Sequence, residues 1–260
     1  MTPTLWSAIR SEWIKFRSVR STITGILTFI ALTIGISAVV CIAVKSHWSD
    51  PGSHFDHLVF DPTSTSLTGI FLAQFAVGTI GILAVTSEYS TGSMRTTLSA
   101  VPRRARVVLA KMAVLIAAIV ILGEIVVFTA FTIGQAIFKG VVPTASLATG
   151  DVLRAVMMAG AYLTLITLFA FGIGLIVRTT AASIIVYTAV LLIVPIIVNF
   201  LPRVLQNDIT KFLPSQLGSA MWSASQPAQT FSWGLSSGIL AAYVVALVGV
   251  GTYLLQRRDA

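Results

Sequence analysis

The chain has 260 residues, of which 56% are hydrophobic and only 10% charged, with a formal net charge of +8. Soluble domains carry about a quarter charged residues, so this composition excludes an ordinary water-soluble fold and points to a membrane protein. The surplus of basic charge does not indicate nucleic acid, because its placement follows membrane topology.

Residues 3–20 precede the first apolar run. Trp6, Ile9, Trp13 and Phe16 recur at three- and four-residue spacing, which places them on one face of a helix, with Arg10, Lys15, Arg17 and Arg20 on its flanks. Tryptophans with basic flanks predict an amphipathic helix anchored in the membrane interface by Trp6, Trp13 and Phe16; the competing reading is a solvated lead-in helix.

Six charge-poor runs follow, at about 23–44, 66–85, 107–138, 155–177, 180–201 and 235–255. A hydrocarbon core of roughly 30 Å needs about 20 helical residues to cross it, so each run is long enough to be a span. The predicted fold is therefore all-α, a single six-span membrane domain over residues 1–260. The first run is too long for the apolar segment of a signal peptide, and no A-x-A pattern follows it. It holds the only cysteine, Cys41, read as a small buried apolar residue.

Between the first two runs lie all three histidines, His47, His54 and His57, interspersed with acids. His54 and His57 are one helical turn apart, a spacing open to metal ligation, but Pro51, Gly52 and Pro62 favour a solvated loop with no metal site. The connector after the second run, Thr86 to Arg106, is polar and basic. Met94, Leu98 and Val101 form a short apolar stripe on a predicted helix there, a handle for a soluble partner or a plain topology anchor.

The third run contains Glu124 midway, with no basic residue in the span to neutralise it. A carboxylate at that depth costs at least about 2.5–3.5 kcal/mol, so it faces protein or water, either hydrogen-bonded to Thr or Gln on neighbouring helices or lining a path. Lys111, near the end of the same run, is expected to snorkel. Only Arg178-Thr179-Thr180 joins the fourth and fifth runs, which predicts a tight hairpin, and Pro195 predicts a kink in the fifth. The segment 202–233 is too long to be structureless, and helical spacing in it predicts short outward helices. Gly234, Gly238, Ala242 and Ala246 then form a small-residue stripe that lets another helix approach.

With the termini on one side, that side carries twelve of the seventeen basic residues, which places both termini in the cytoplasm. The sequence has no Gly-x-x-x-x-Gly-Lys-Ser/Thr loop, so the chain does not hold ATP in that manner. Gly234-Leu235-Ser236-Ser237-Gly238 matches a hydrolase pattern but opens a span and has no histidine nearby in sequence, so it is read as chance.

The segment Ser11–Ser18 before the first span, and the segment Glu88-Tyr89-Ser90-Thr91-Gly92-Ser93-Met94-Arg95-Thr96-Thr97-Leu98 followed by Pro102-Arg103-Arg104 and Ala110-Lys111, resemble the membrane subunit of a bacterial type-2 ATP-binding-cassette exporter. That resemblance implies an interfacial helix, a coupling helix between spans two and three, and a permease without an ATPase site of its own. It implies ATP and Mg on a separate ATPase subunit, pairing with a second permease chain, and a place in the bacterial cytoplasmic membrane. By the same likeness Glu88, Tyr89, Met94 and Arg95 contact the ATPase; Glu124 is a candidate for the path on its depth in the span alone. The alternative from another class is a stand-alone secondary transporter or membrane sensor with Glu124 as its ion or proton site.

Overall fold

The computed structural model describes residues 5–49, 60–93, 104–225 and 230–257, and every regular element among them is helical. In chain order these are α1 (Leu5–Ser18), α2 (Arg20–Ser46), α3 (Pro62–Ser66), α4 (Ile70–Ser90), α5 (Arg104–Phe138), α6 (Gly150–Val177), α7 (Thr180–Val198), α8 (Arg203–Thr210), α9 (Pro214–Trp222) and α10 (Trp233–Arg257). Among the described residues six helices, α2, α4, α5, α6, α7 and α10, are long and apolar enough to cross a membrane. Each coincides with one of the six charge-poor runs. The 35 residues of α5 extend about 50 Å, well beyond a hydrocarbon core of about 30 Å, so its basic first turns project from the apolar layer.

Side-chain contacts fix the direction of each span. Arg104 and Arg178 reach the last carbonyls of α10, so α5 starts where α6 and α10 end. Gln135, near the other end of α5, donates to Pro62 O and Ser66 Oγ and accepts from the Ala145 amide at 2.7 Å. The spans therefore alternate, with a basic end that holds α1 and an opposite end that holds α3, α8 and α9.

α6 is the central helix, and its most extensive packing is with α4. Small residues allow the approach. A Cβ on Gly81 would lie 2.3 Å from Thr167 O, and one on Gly78 would lie 2.2 Å from the Tyr187 ring of α7. In lipid, close backbone approach and dispersion replace the hydrophobic drive between helices. One polar knot sits in this core. Tyr162 donates to the Gln74 side chain, Tyr187 donates to Gln74 O at 2.8 Å, and Gln74 Nε2 donates to Phe71 O at 2.8 Å. All three residues are fully buried, and this mutual satisfaction makes their burial tolerable.

The short helices expected between the fifth and sixth spans are present as α8 and α9, and they differ in environment. α8 buries no residue fully, whereas α9 buries Leu217, Met221 and Trp222 against α6 and α10. The Tyr162 ring packs edge-on to Trp222 with centroids 4.8 Å apart and lies over Gly218. Arg154 of α6 donates to Ser223 O at 3.1 Å and Ala224 O at 3.3 Å, placing a cation where the α9 dipole is negative. The exposed faces are equally informative. Ile185, Leu192, Ile196 and Ile197 of α7 are exposed, as are all four members of the Gly234–Ala246 stripe on α10. These apolar faces are suited to lipid or to another chain.

Two wide turns interrupt the spans. α2 is π-helical over Leu32–Ile36, where Gly69 packs against Thr33 O and donates its amide to Ser37 Oγ at 3.0 Å. α7 is π-helical over Ala189–Ile193, immediately before Pro195. The missing Pro195 amide would leave Leu191 O without its usual α-helical donor, and the π turn re-registers the backbone at that point. The disruption expected at Pro195 thus takes the form of a local widening of the helix. Between α6 and α7, Arg178 adopts φ 66°, a left-handed cap usually given to glycine, and its amide bonds Gly174 O at 2.9 Å.

The closeness of α4 and α7 yields a stability prediction. Gly78→Ala forces its new methyl into the Tyr187 ring and is expected to lower stability by about 1–3 kcal/mol, read as an earlier unfolding midpoint in detergent. Gly234→Ala, which meets open space, is the control and is expected to leave the midpoint unchanged or slightly raised.

Candidate functional site

Glu12 and Lys15 lie one turn apart on α1, on the side that faces α5. Glu88 is in the last turn of α4, and Lys111 is in the second turn of α5. The fold brings all four to one point. Lys111 Nζ donates to Glu12 Oε2 at 2.7 Å and to Glu88 Oε1 at 2.8 Å, and Lys15 Nζ donates to Glu12 Oε1 and the same Glu88 oxygen, both at 2.8 Å. Two negative and two positive charges balance within the cluster.

Burial makes the arrangement consequential. Glu12, Glu88 and Lys111 are only 8%, 7% and 5% exposed, whereas the Lys15 side chain keeps two-fifths of its surface open. Taking such charges from water costs several kcal/mol each, a cost offset only by close, multiply hydrogen-bonded pairing. Burial works against the Lys15 charge, but its hydrogen bonds to Glu12 and Glu88, with the attraction of both carboxylates, outweigh it and hold the ammonium above its ordinary range.

The orientation of α1 follows from the same contacts. Its charged side and Ala8 face the bundle, while Trp6 (74% exposed), Trp13 and Ile14 point away from it. Phe16 stacks with Trp13 at 6.1 Å and packs against the core. Glu12 and Lys15 thus turn inward, while Arg10 and Arg17 stay exposed with the tryptophans.

Tyr89, next to Glu88, faces a second set of partners. The Arg178 guanidinium lies 5.2 Å from the Tyr89 ring centroid and donates to Leu254 O at 3.1 Å. Arg104 donates to Leu255 O and Gln256 O. Two arginines thus satisfy the terminal carbonyls of α10 and complement its dipole. The last turn of α4 consequently joins α1 and α5 through Glu88, and α6 and α10 through Tyr89.

Of the residues singled out from sequence, Glu88 and Tyr89 sit together at this junction, while Met94 and Arg95 lie outside the described residues. Glu88 is engaged with lysines of this chain and is not an open surface charge. Lys111 does not snorkel. Its length is used inward, because two carboxylates outcompete the headgroup layer for its ammonium. Glu124 lies far along α5, its carboxyl against the bare backbone of Gly160, and its buried Oε2 has no hydrogen-bond partner, so the expected Thr or Gln ligation of that oxygen is not found. His47 Nδ1 is 2.9 Å from Ala43 O, and His54 and His57 lie outside the described residues. Sequence reading missed Glu12, and missed that Lys111, Arg104 and Arg178 bind within the chain. The available signal was two acids and two lysines bordering charge-poor runs on the same predicted side.

The cluster predicts non-additive mutants. Lys111→Met leaves Glu12 and Glu88 to a half-exposed Lys15 and is expected to cost about 3–5 kcal/mol in unfolding stability. Glu88→Gln with Lys111→Met is expected to cost clearly less than the two single changes summed, measured from unfolding midpoints in detergent. Additive losses would show that the two side chains do not interact.

No curated protein matches the chain. A family model described as ABC-2 family transporter protein matches residues 8–195, from α1 into α7. That stretch contains Glu12, Lys15, Glu88, Lys111 and Glu124, and it covers well over half of the sequence. The chain therefore belongs to the ABC-2 family of transporter proteins, as a multi-pass membrane permease.

Proposed function

We propose that this permease is the membrane subunit of an ATP-driven exporter, worked by a separate ATPase that binds the connector between α4 and α5. The observation that carries the reading is the Glu88–Lys111 pair. It clamps the two helices on either side of that connector at 2.8 Å and ties both to α1 through Glu12. A push delivered to the connector cannot be absorbed by splaying its two stems. It moves α1, α4 and α5 together, and the Tyr89–Arg178 contact passes it to α6 and α10.

In this reading ATP and Mg bind to the partner ATPase and none is bound by the present chain. Arg95 and Met94 meet the ATPase surface, where charge orients docking more than it supplies affinity. Glu88 and Tyr89 act as positioning residues behind them. The basic end and both termini face the bacterial cytoplasm, in keeping with the positive-inside rule. The exposed stripe on α10 and the apolar face of α7 suit pairing with a second permease chain, identical or related, around a shared path. Glu124 borders that path.

The unpartnered Glu124 oxygen favours a second reading, a stand-alone secondary transporter or membrane sensor with this carboxylate as its ion or proton site. Reconstitution separates the two. The exporter reading expects a companion ATPase to co-purify and transport in vesicles to require ATP; transport driven by a pH gradient without ATP would overturn it. Arg95→Glu is expected to reduce transport per ATP hydrolysed by about tenfold, the scale of a lost docking contact of about 1.4 kcal/mol, with an unchanged unfolding midpoint. Full coupling in that variant would remove Arg95 from the interface.

A further inference from the structure

A cleft of about 470 Å³ opens beside the ion cluster, between the α1–α2 junction, α4 and α5, where α4 and α5 share few contacts beyond the Glu88–Lys111 pair. Its volume is within the range of small-molecule sites. Its walls are graded along the helix axes. Lys15, Ser21 and Thr91 line the end at the basic side of the bundle, and Ile80, Leu83 and Leu115 line the end nearer mid-bilayer. Because α4 runs towards the basic end, one wall passes from Ile80 to Thr91 in about three turns. A ligand that fills such a cleft has one polar end and one apolar end.

The polar end offers donors and no open carboxylate. Both Glu12 oxygens and Glu88 Oε1 already accept from Lys15 or Lys111, and Glu88 Oε2 is buried away from the cleft. Lys15 differs. Its ammonium has three donors, of which Glu12 and Glu88 take two, and two-fifths of its side chain is open. Ser21 and Thr22, in the first turn of α2, line the cleft too, and their hydroxyls have no hydrogen-bond partner among the described residues. Val19 gives that helix no side-chain cap, so the positive end of its dipole adds to the same field. The four charges of the cluster balance, and Arg17 and Arg20, both exposed, adjoin the lining residues in sequence and leave this opening with a surplus of positive charge.

We propose that this cleft seats one anionic phospholipid from the leaflet at the basic end, its phosphate at Lys15, Ser21 and Thr22 and the upper part of one acyl chain along Ile80, Leu83 and Leu115. A zwitterionic headgroup brings a cation for which the rim has no free carboxylate, and without net charge it gains nothing from Arg17 and Arg20. A free phosphate ion would leave the apolar half of the cleft unfilled. The site is independent of how transport is powered, and its test needs neither ATPase nor cargo.

The test is photolabelling of the full chain in phosphatidylcholine vesicles that contain a trace of phosphatidylglycerol with a diazirine in its acyl chain. Labelling is expected at residues 80–84 and 114–115. Unlabelled phosphatidylglycerol is expected to compete there about tenfold better than added phosphatidylcholine or phosphatidylethanolamine, the scale of one hydrogen bond to a charged group. Ile185, exposed near the start of α7 at the same end of the bundle, reports the general attraction of anionic lipid to basic charge and is expected to show a clearly smaller preference. Inorganic phosphate, which lacks the chain, is expected not to compete. Lys15→Gln is expected to remove most of the preference in the cleft. Equal competition by the anionic and zwitterionic lipids, the same preference at Ile185 as in the cleft, competition by inorganic phosphate, or an unchanged preference in Lys15→Gln would each overturn the proposal. The competition series uses the unaltered chain, so it decides the matter even if Lys15→Gln does not fold.

Discussion

Lys111 holds the basic end of the molecule together. Its ammonium, almost sealed from solvent, bridges a carboxylate on the N-terminal helix and another at the close of α4. A lysine in that position must either lose its charge or find close anionic partners, and two lie within 2.8 Å. The attachment of α1 follows from this. The helix has few apolar contacts available on its bundle side, since its tryptophans face outward, so electrostatic matching fixes where it docks and which way it is turned. Ion pairs of this kind are directional where apolar packing is not, which suits a junction that must keep its register while the helices move.

The rest of the bundle is held by different physics. Around α6 the helices approach through glycines, and the few polar groups in the interior bind one another, as Gln74 does with Tyr162 and Tyr187. α9 continues that packing at the opposite end, with Trp222 and Gly218 on either side of Tyr162. A tight apolar middle thus separates two polar ends. The basic end is organised by charge pairs and arginine-capped carbonyls, and the opposite end by Gln135 and Arg154 bonded to loop backbone.

This division gives the proposed mechanism its physical content. A packed interior transmits displacement because it cannot compress, and among the described residues α4 and α6 form the most extensive helix pair. The charged junction ties α4 to α1 and α5, with which α4 shares few other contacts, and presents the three as one unit to whatever acts on the connector. Glu124, by contrast, stands outside both networks. Its carboxyl rests on Gly160 with one oxygen unsatisfied, the condition expected of a group that is completed by something not in this chain.

The six spans, a helix before the first of them and the short helices before the last were all legible in the sequence, because charge-free length and helical spacing are local properties set by the thickness of the bilayer and the pitch of the helix. The residues of the α4–α5 connector likewise carried the family likeness. The partner of each polar group was not legible. Lys111 read as a snorkelling lysine because nothing local reveals that Glu12, 99 positions away, arrives beside it. Pro195 announced a disturbance but not the π turn that accommodates it, and the small-residue stripe of α10 gave no sign that it faces away from the bundle. Composition and periodicity determined by themselves that this chain lives in lipid and how often it crosses. Which charges meet, which faces remain open and where a cleft is left were decided only by tertiary packing, since these depend on distances between helices that sequence spacing does not encode.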